Sequence, residues 1–167
     1  MVRTLLLPLA LFALTAPASA QEGCRLCYSD PGAKPGERPL QLEIFADLSF
    51  SKLAMTGQGG GSATVEPQGG KATSGNIMDL GGMAVSGHGR ISGEPGREVR
   101  VDLPEAVPMT AGDGSAAQLT QFTTNLPSHP VLNADGTLEF TFGARLVVKG
   151  NAGGNYRGRI PISVDYN

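Results

Sequence analysis

Residues 154–167, GNYRGRIPISVDYN, constrain the fold more than any other stretch of the chain. Tyr156, Ile160, Ile162, Val164 and Tyr166 share one parity, and Asn155, Arg157, Arg159, Ser163 and Asp165 share the other. Successive side chains of a strand point to opposite faces, so this alternation predicts one long strand with one buried and one wet face. A chain that finishes inside its own sheet is a candidate β-sandwich. Pro161 falls on the polar parity and has no N–H to give to a ladder, which places that point of the strand at an edge or a bulge.

Upstream the same period recurs between turn signals. Leu40, Leu42, Ile44, Ala46, Leu48 and Phe50 alternate with Gln41, Glu43, Phe45, Asp47 and Ser49, a strong first strand with a bend expected near Ala46 and Asp47. Short strands are expected at 63–65 and 77–80, and in Met83, Val85, Gly87, Gly89 and Ile91 the glycines suggest a bulge or a close backbone approach. Glu94-Pro95-Gly96-Arg97 reads as a turn, because proline presets φ and glycine accepts φ > 0; it predicts a hairpin into Val99, Val101 and Leu103. A weaker, irregular strand follows at 117–124. After a turn at Asn133-Ala134-Asp135-Gly136, residues 137–148 form another strand, with a bulge expected at Gly143. Eight or nine short strands without a helix-length amphipathic segment indicate an all-β protein, an antiparallel β-sandwich. Its expected core draws on Leu42, Ile44, Leu48 and Phe50, then Val99, Val101 and Leu103. Phe140, Leu146, Tyr156, Ile160, Ile162, Val164 and Tyr166 complete it.

Residues 1–20 carry one basic residue, Arg3, an apolar run over 5–14 and the small-x-small sequence Ala18-Ser19-Ala20. That is the pattern of a secretory signal peptide, and it predicts an exported protein of the periplasm or cell surface. The apolar run is too short to span a bilayer, which takes about 20 residues. Gln21, rather than a leucine, stands three residues before Cys24, which argues against a lipid anchor. The 147 residues remaining of 167 suffice for one domain with its own core. Residues 21–39 are polar and rich in proline and glycine and read as a flexible arm; residues 40–167 read as the sandwich domain. One of the 13 basic residues leaves with the signal, so 12 face 15 acidic residues, a balance of −3. Nucleic acid and anionic membranes reward a basic face, so neither is an expected partner.

The two cysteines, Cys24 and Cys27, form a C-x-x-C pair at the start of the arm. Export favours a small-loop disulfide; a metal site or a redox pair is the alternative reading. Tyr28 stands where covalent haem attachment needs a histidine. His88 and His129 are isolated, which falls short of a metal ligand set. Ser128 and His129 are neighbours whose side chains diverge on extended backbone, so adjacency supplies no catalytic dyad. Residues 131–142 imitate a calcium loop at Asn133, Asp135 and Gly136 but place Val131 and Phe142 where carboxylates are needed. The residues thus suggest no catalytic group, no metal and no cofactor, and a non-enzymatic protein.

The run Gly154-x-Tyr156-x-Gly158-x-Ile160-x-Ile162-x-Val164-x-Tyr166-Asn167 resembles the terminal strand of a secreted proteobacterial family of unknown function. That family is itself similar to spore-coat-U-type and chaperone–usher pilin subunits. Asp47-Leu48-Ser49-Phe50, and Ser92-Gly93-Glu94-Pro95-Gly96 leading into Val99-Arg100-Val101-Asp102-Leu103-Pro104, share the likeness. The resemblance implies a pilin-like, immunoglobulin-like sandwich that is exported and assembles as a structural subunit at the cell surface or in a fimbria. Its partners would be further copies of itself, other pilin-like subunits and a periplasmic chaperone. Pilin-like assembly works by β-strand addition into an incomplete sandwich. The arm at 21–39 lacks the alternating apolar residues of a donor. Leu40, Leu42, Ile44, Leu48 and Phe50 are therefore the candidate strand-exchange segment, or equally the domain's own first strand. Tyr156, Ile160, Pro161, Ile162, Val164 and Tyr166 mark the candidate partner edge. A monomeric periplasmic binding module working through its glycine-rich loops is the alternative.

Overall fold

The computed structural model describes residues 36–150 and 154–167, and Cys24 and Cys27 lie outside them. Among the described residues there is no helix, and eleven strands form antiparallel sheets. They are β1 (Gln41–Ala46), β2 (Leu53–Met55), β3 (Gly61–Val65), β4 (Lys71–Gly75), β5 (Ile77–Asp79) and β6 (Gly87–Ser92), followed by β7 (Val99–Asp102), β8 (Ala106–Thr110), β9 (Ala116–Thr124), β10 (Thr137–Val148) and β11 (Ser163–Tyr166).

The axis of the molecule is β10, the longest strand. Along one edge it pairs with β6 over Thr137 to Phe142 and then with β3 over Ala144 to Val148. Along the other edge it pairs with β9. Gly143 sits where β3 takes over from β6. A Cβ there would run into the carbonyl oxygen of Val65 and the backbone of Glu66, so this close approach needs glycine. The expected bulge is also here: the pairing with β9 slips between Gly143 and Arg145, opposite Gln121, whose φ is 50°. β1 extends the sheet beyond β6, β4 beyond β3, and β8 beyond β9.

A second, smaller layer is built on β7. β11 lies on one edge of it, and the other is bonded to residues 130–132 through Val99 N–H to Pro130 O and Leu132 N–H to Arg97 O, both 2.9 Å. This layer packs on the first half of β10, where Ile91, Val99, Leu132, Phe140, Phe142, Val164 and Tyr166 form one apolar cluster. The rings of Phe140 and Phe142 lie over Gly89 and Gly87, so the close approach expected at these glycines is made by aromatic side chains. The Tyr166 hydroxyl accepts the N–H of Glu94 at 2.7 Å and donates to the carbonyl of Arg38 at 2.6 Å. Arg97 lies 4.9 Å from the centre of the Tyr166 ring and pairs with Glu37. The chain just before β1 is thereby fastened to the C-terminal strand.

Several expectations are corrected. The alternation over 154–167 does put Val164 and Tyr166 in the core and the intervening residues outward, but only Ser163–Tyr166 is laddered. Continuing the register of β11 on β7 by two places sets Pro161 against Pro104, and neither has an N–H with which to carry the ladder on. The turn at Glu94 to Arg97 exists, with Arg97 N–H bonded to Glu94 O and Gly96 at φ 72°, yet it makes no hairpin. β6 pairs with β1 and β10 and β7 with β11, so this turn carries the chain from one layer to the other. The first strand stops at Ala46 after an irregularity between Ile44 and Ala46, which leaves Leu48 and Phe50 beyond it. Ile44 is 40% exposed rather than core, and Met83 is 84% exposed, outside any strand. β4 and β8 carry too little apolar alternation to announce themselves; β8 contains Pro108, which an edge strand tolerates.

Candidate functional site

The second half of β10 lies beyond the β7–β11 layer and is met only by the short two-stranded β2–β5 sheet. Its inward face, with Val107, Ala117, Leu119, Ala144, Leu146 and Val148 from the main sheet, forms a separate apolar cluster with Ile77 of β5. Two irregular stretches, 47–55 and 154–162, lie against it and enclose an open groove of about 1450 Å³. Leu119, Leu146 and Val148 line it from the main sheet, Ile77 from β5, Leu48, Phe50, Leu53 and Met55 from the first stretch, and Tyr156, Ile160 and Ile162 from the second. Small-molecule pockets run to about 1,000 Å³. This groove is larger, long and open.

Each stretch is held by a few backbone bonds. Ser49 and Val85 exchange bonds of 2.8 and 2.9 Å, Leu80 N–H reaches Lys52 O at 3.1 Å, and β2 ladders with β5. Between them Ser51 adopts φ 59°, uncommon for a residue with a side chain, and its hydroxyl donates to Gly81 O at 3.2 Å. The stretch 154–162 is joined to the end of β8 by reciprocal bonds between Thr110 and Arg157, 3.1 and 2.9 Å. From Gly158 to Ile162 the backbone makes no backbone hydrogen bond among the described residues, and β11 is laddered to β7 alone.

The charges around the groove are mostly positive. Lys52, Arg157 and Arg159 line it with Asp47, and none of these three cations makes an ion pair with a described carboxylate. Elsewhere Lys71 pairs with Asp79, Arg90 with Glu139, Arg97 with Glu37, and Arg100 with Asp102 and Asp165. The hydrogen bond from Lys71, then that from the Gly81 N–H, holds the Asp79 carboxyl below its usual range. Glu98, just before β7, is lowered by His129, whose Nδ1 is 2.7 Å away, and by the Asn167 amide. His129 is therefore a partner of Glu98, with Ser128 taking no part in that contact.

The structure gathers the predicted site residues unevenly. Leu48, Phe50, Tyr156, Ile160 and Ile162 meet at the groove together with Ile44. Leu40, Leu42, Val164 and Tyr166 instead pack in or against the cluster of the two-layered end, and Pro161 is exposed beside it. The segment 40–46 lies on β6 in its own molecule. Leu53, Met55, Met109 and Lys52 join the groove without being expected from the sequence, in which the i, i+2 spacing of Leu53 and Met55 is the one signal they carry. A second, shallower hollow of about 400 Å³ lies on the outer face of the sheet, where the half-exposed Phe45 ring sits 4.8 Å from the Arg90 guanidinium beside Glu139 and Asn125. Among the described residues no three His, Cys, Asp or Glu side chains are placed to hold a metal ion, and no helix is long and apolar enough to cross a membrane.

No curated protein and no solved structure matches the chain. One family model does match, over residues 40–166, reaching from just before β1 to the end of β11. The chain belongs to that family, described as a domain of unknown function (DUF4402).

Proposed function

We propose that this protein is an exported, non-enzymatic structural subunit of a cell-surface or fimbria-like assembly, an immunoglobulin-like sandwich that a neighbouring subunit completes. One observation supports the reading: half of the inward face of the main sheet is roofed by the β7–β11 layer, and the other half, met only by the short β2–β5 pair, opens into an apolar groove beside the unladdered backbone of 158–162. Backbone groups without partners and a row of apolar side chains are what an added strand uses, the first for affinity and the second for register. A strand rises about 3.3 Å per residue, so five or six residues would span the half of β10 that faces the groove.

The test is a comparison of heated and unheated samples of the exported protein on a denaturing gel, with solution mass from light scattering. Heat-sensitive higher bands that contain this chain are the expected result. A single monomeric species, both alone and in the cell-surface fraction, would overturn the assembly reading. It would leave the monomeric binding module, for which the outer-face hollow at Phe45, Arg90 and Glu139 is the supporting observation.

A further inference from the structure

We infer that the groove is selective, and that its occupant is an acidic strand from a different protein, with carboxylates on the positions between its apolar residues. The inference rests on the strand-accepting role proposed above and adds the chemistry of the partner.

Charge distribution is the first support. The chain as a whole carries −2, yet the groove is lined by Lys52, Arg157 and Arg159 against the single carboxylate of Asp47. The second support is that none of these cations makes an ion pair with a described carboxylate, so their charge is left for a partner, whereas Lys71, Arg90, Arg97 and Arg100 each have a carboxylate in reach. Arg38, Arg145 and Lys149 also lack such a pair but do not line the groove. Arg157 and Arg159 lie on one parity of the stretch, opposite to Tyr156, Ile160 and Ile162. A strand laid along 154–162 would bring its own two faces into the same division, apolar side chains toward Leu119, Leu146 and Val148 and the alternate ones toward the arginines. Complementary charges of this kind speed encounter and reject strands of the wrong sign.

The strand is assigned to another protein because this chain's own acidic alternating segment is already in use. Residues 40–50, LQLEIFADLSF, contain Glu43 and Asp47 and no cation. Their first part is laddered to β6, however, and Leu48 and Phe50 already pack on the groove cluster. Exchanging that segment between copies would restore the same contacts and leave the groove as open as before.

The probe is a fluorescein-labelled peptide of sequence LQLEIFADLSF, a stand-in for the partner strand, compared with the same peptide carrying Glu43→Lys and Asp47→Lys, by anisotropy against the whole mature protein. The acidic peptide is expected to bind about tenfold more tightly, with the advantage shrinking as salt is raised. The exposed double variant Arg157→Glu, Arg159→Glu should cancel or reverse the preference with no change in thermal midpoint. Equal affinity for the two peptides would overturn the acidic selection and keep the strand-accepting groove. Binding of neither would overturn both. Discrete oligomers of the protein alone, dissolved by the acidic peptide, would assign the occupant to a second copy and overturn its assignment to another protein.

Discussion

The two halves of β10 run through the same sheet and end in different states. Over the first half, Phe140, Ile91, Leu132 and Val99 are each under 2% exposed, because β7, β11 and residues 130–132 cover them. Over the second half, Leu119, Leu146 and Val148 are covered by two bonded but irregular stretches, and the partners Leu53, Met55, Met109 and Tyr156 stay half-buried. Both halves present apolar side chains inward, rings at Phe140, Phe142 and Tyr166 in the first and smaller aliphatic residues such as Ala117, Ala144 and Val148 in the second. The difference lies in how far the second layer reaches: its ladder ends at Ser163 and Asp102, two places short of where Pro161 would meet Pro104. A few residues without an N–H thus divide one face into a core and a groove.

The largest expected effect comes from breaking the closed half. Phe140→Ala removes a ring under 2% exposed that also fills the space over Gly89, and should cost about 3–5 kcal/mol. Met109→Ala at the groove removes a flexible, half-buried side chain and should cost about 1 kcal/mol. Urea unfolding of both variants measures the contrast; equal losses would erase the distinction between the two halves. Next comes Tyr166→Phe, which keeps the ring under Arg97 but takes the hydroxyl from Glu94 N–H and Arg38 O, at a cost of about 1–3 kcal/mol. Its signature should be local as well. Amide exchange should quicken around residues 37–40, where the chain is fastened to β11.

Much of this was legible in the sequence, for a reason that also explains the failures. Parity along 154–167 is a property of extended backbone, so it places Val164 and Tyr166 inward whether or not a ladder forms. Whether a ladder forms depends on what would lie opposite, and that continuing it by two places would set Pro161 against Pro104 is visible only once the register is known. The turn at Glu94 to Arg97 was readable from proline and glycine for the same local reason, but turn chemistry does not choose the strand's partner. Leu138, Phe140, Leu146 and Val148 share one parity on both sides of Gly143; that glycine announces a bulge, but nothing local says that the cover ends there. The groove is a long-range fact, and of its lining residues only those in alternating runs could be anticipated.

The comparison can be sharpened by restoring what the prolines remove. With Pro104→Val and Pro161→Val together, the ladder between β7 and β11 could extend toward the groove. Each new bond would add about 1 kcal/mol if the backbone there settles without strain. Amide protection should then spread from 163–166 into 161–162, and binding of an apolar dye should fall as the opening narrows. Unchanged protection would mean that the irregular stretch has a cause other than proline.

The smallest effect expected is on acidification, and it reaches both halves. Asp79 on β5 is held below its ordinary range by Lys71 and Gly81, and Glu98 by His129 and Asn167. For a carboxylate lowered in the folded state, the stabilisation is complete above the unfolded value of about 4 and is lost as pH falls through the folded value. Both carboxylates reach solvent, although the Lys71 side chain is buried, so the loss should be slight and weaker still in high salt. Their places differ, and that makes them separate reporters. Asp79→Asn should flatten the low-pH dependence of exchange in β4 and β5 beside the groove and leave β7 unchanged. Glu98→Gln should do the reverse, flattening it where β7 meets residues 130–132 and Asn167. If either variant changed both regions equally, the halves would respond to acid as one unit, and the division at Gly143 would describe the packing of the molecule but not its energetics.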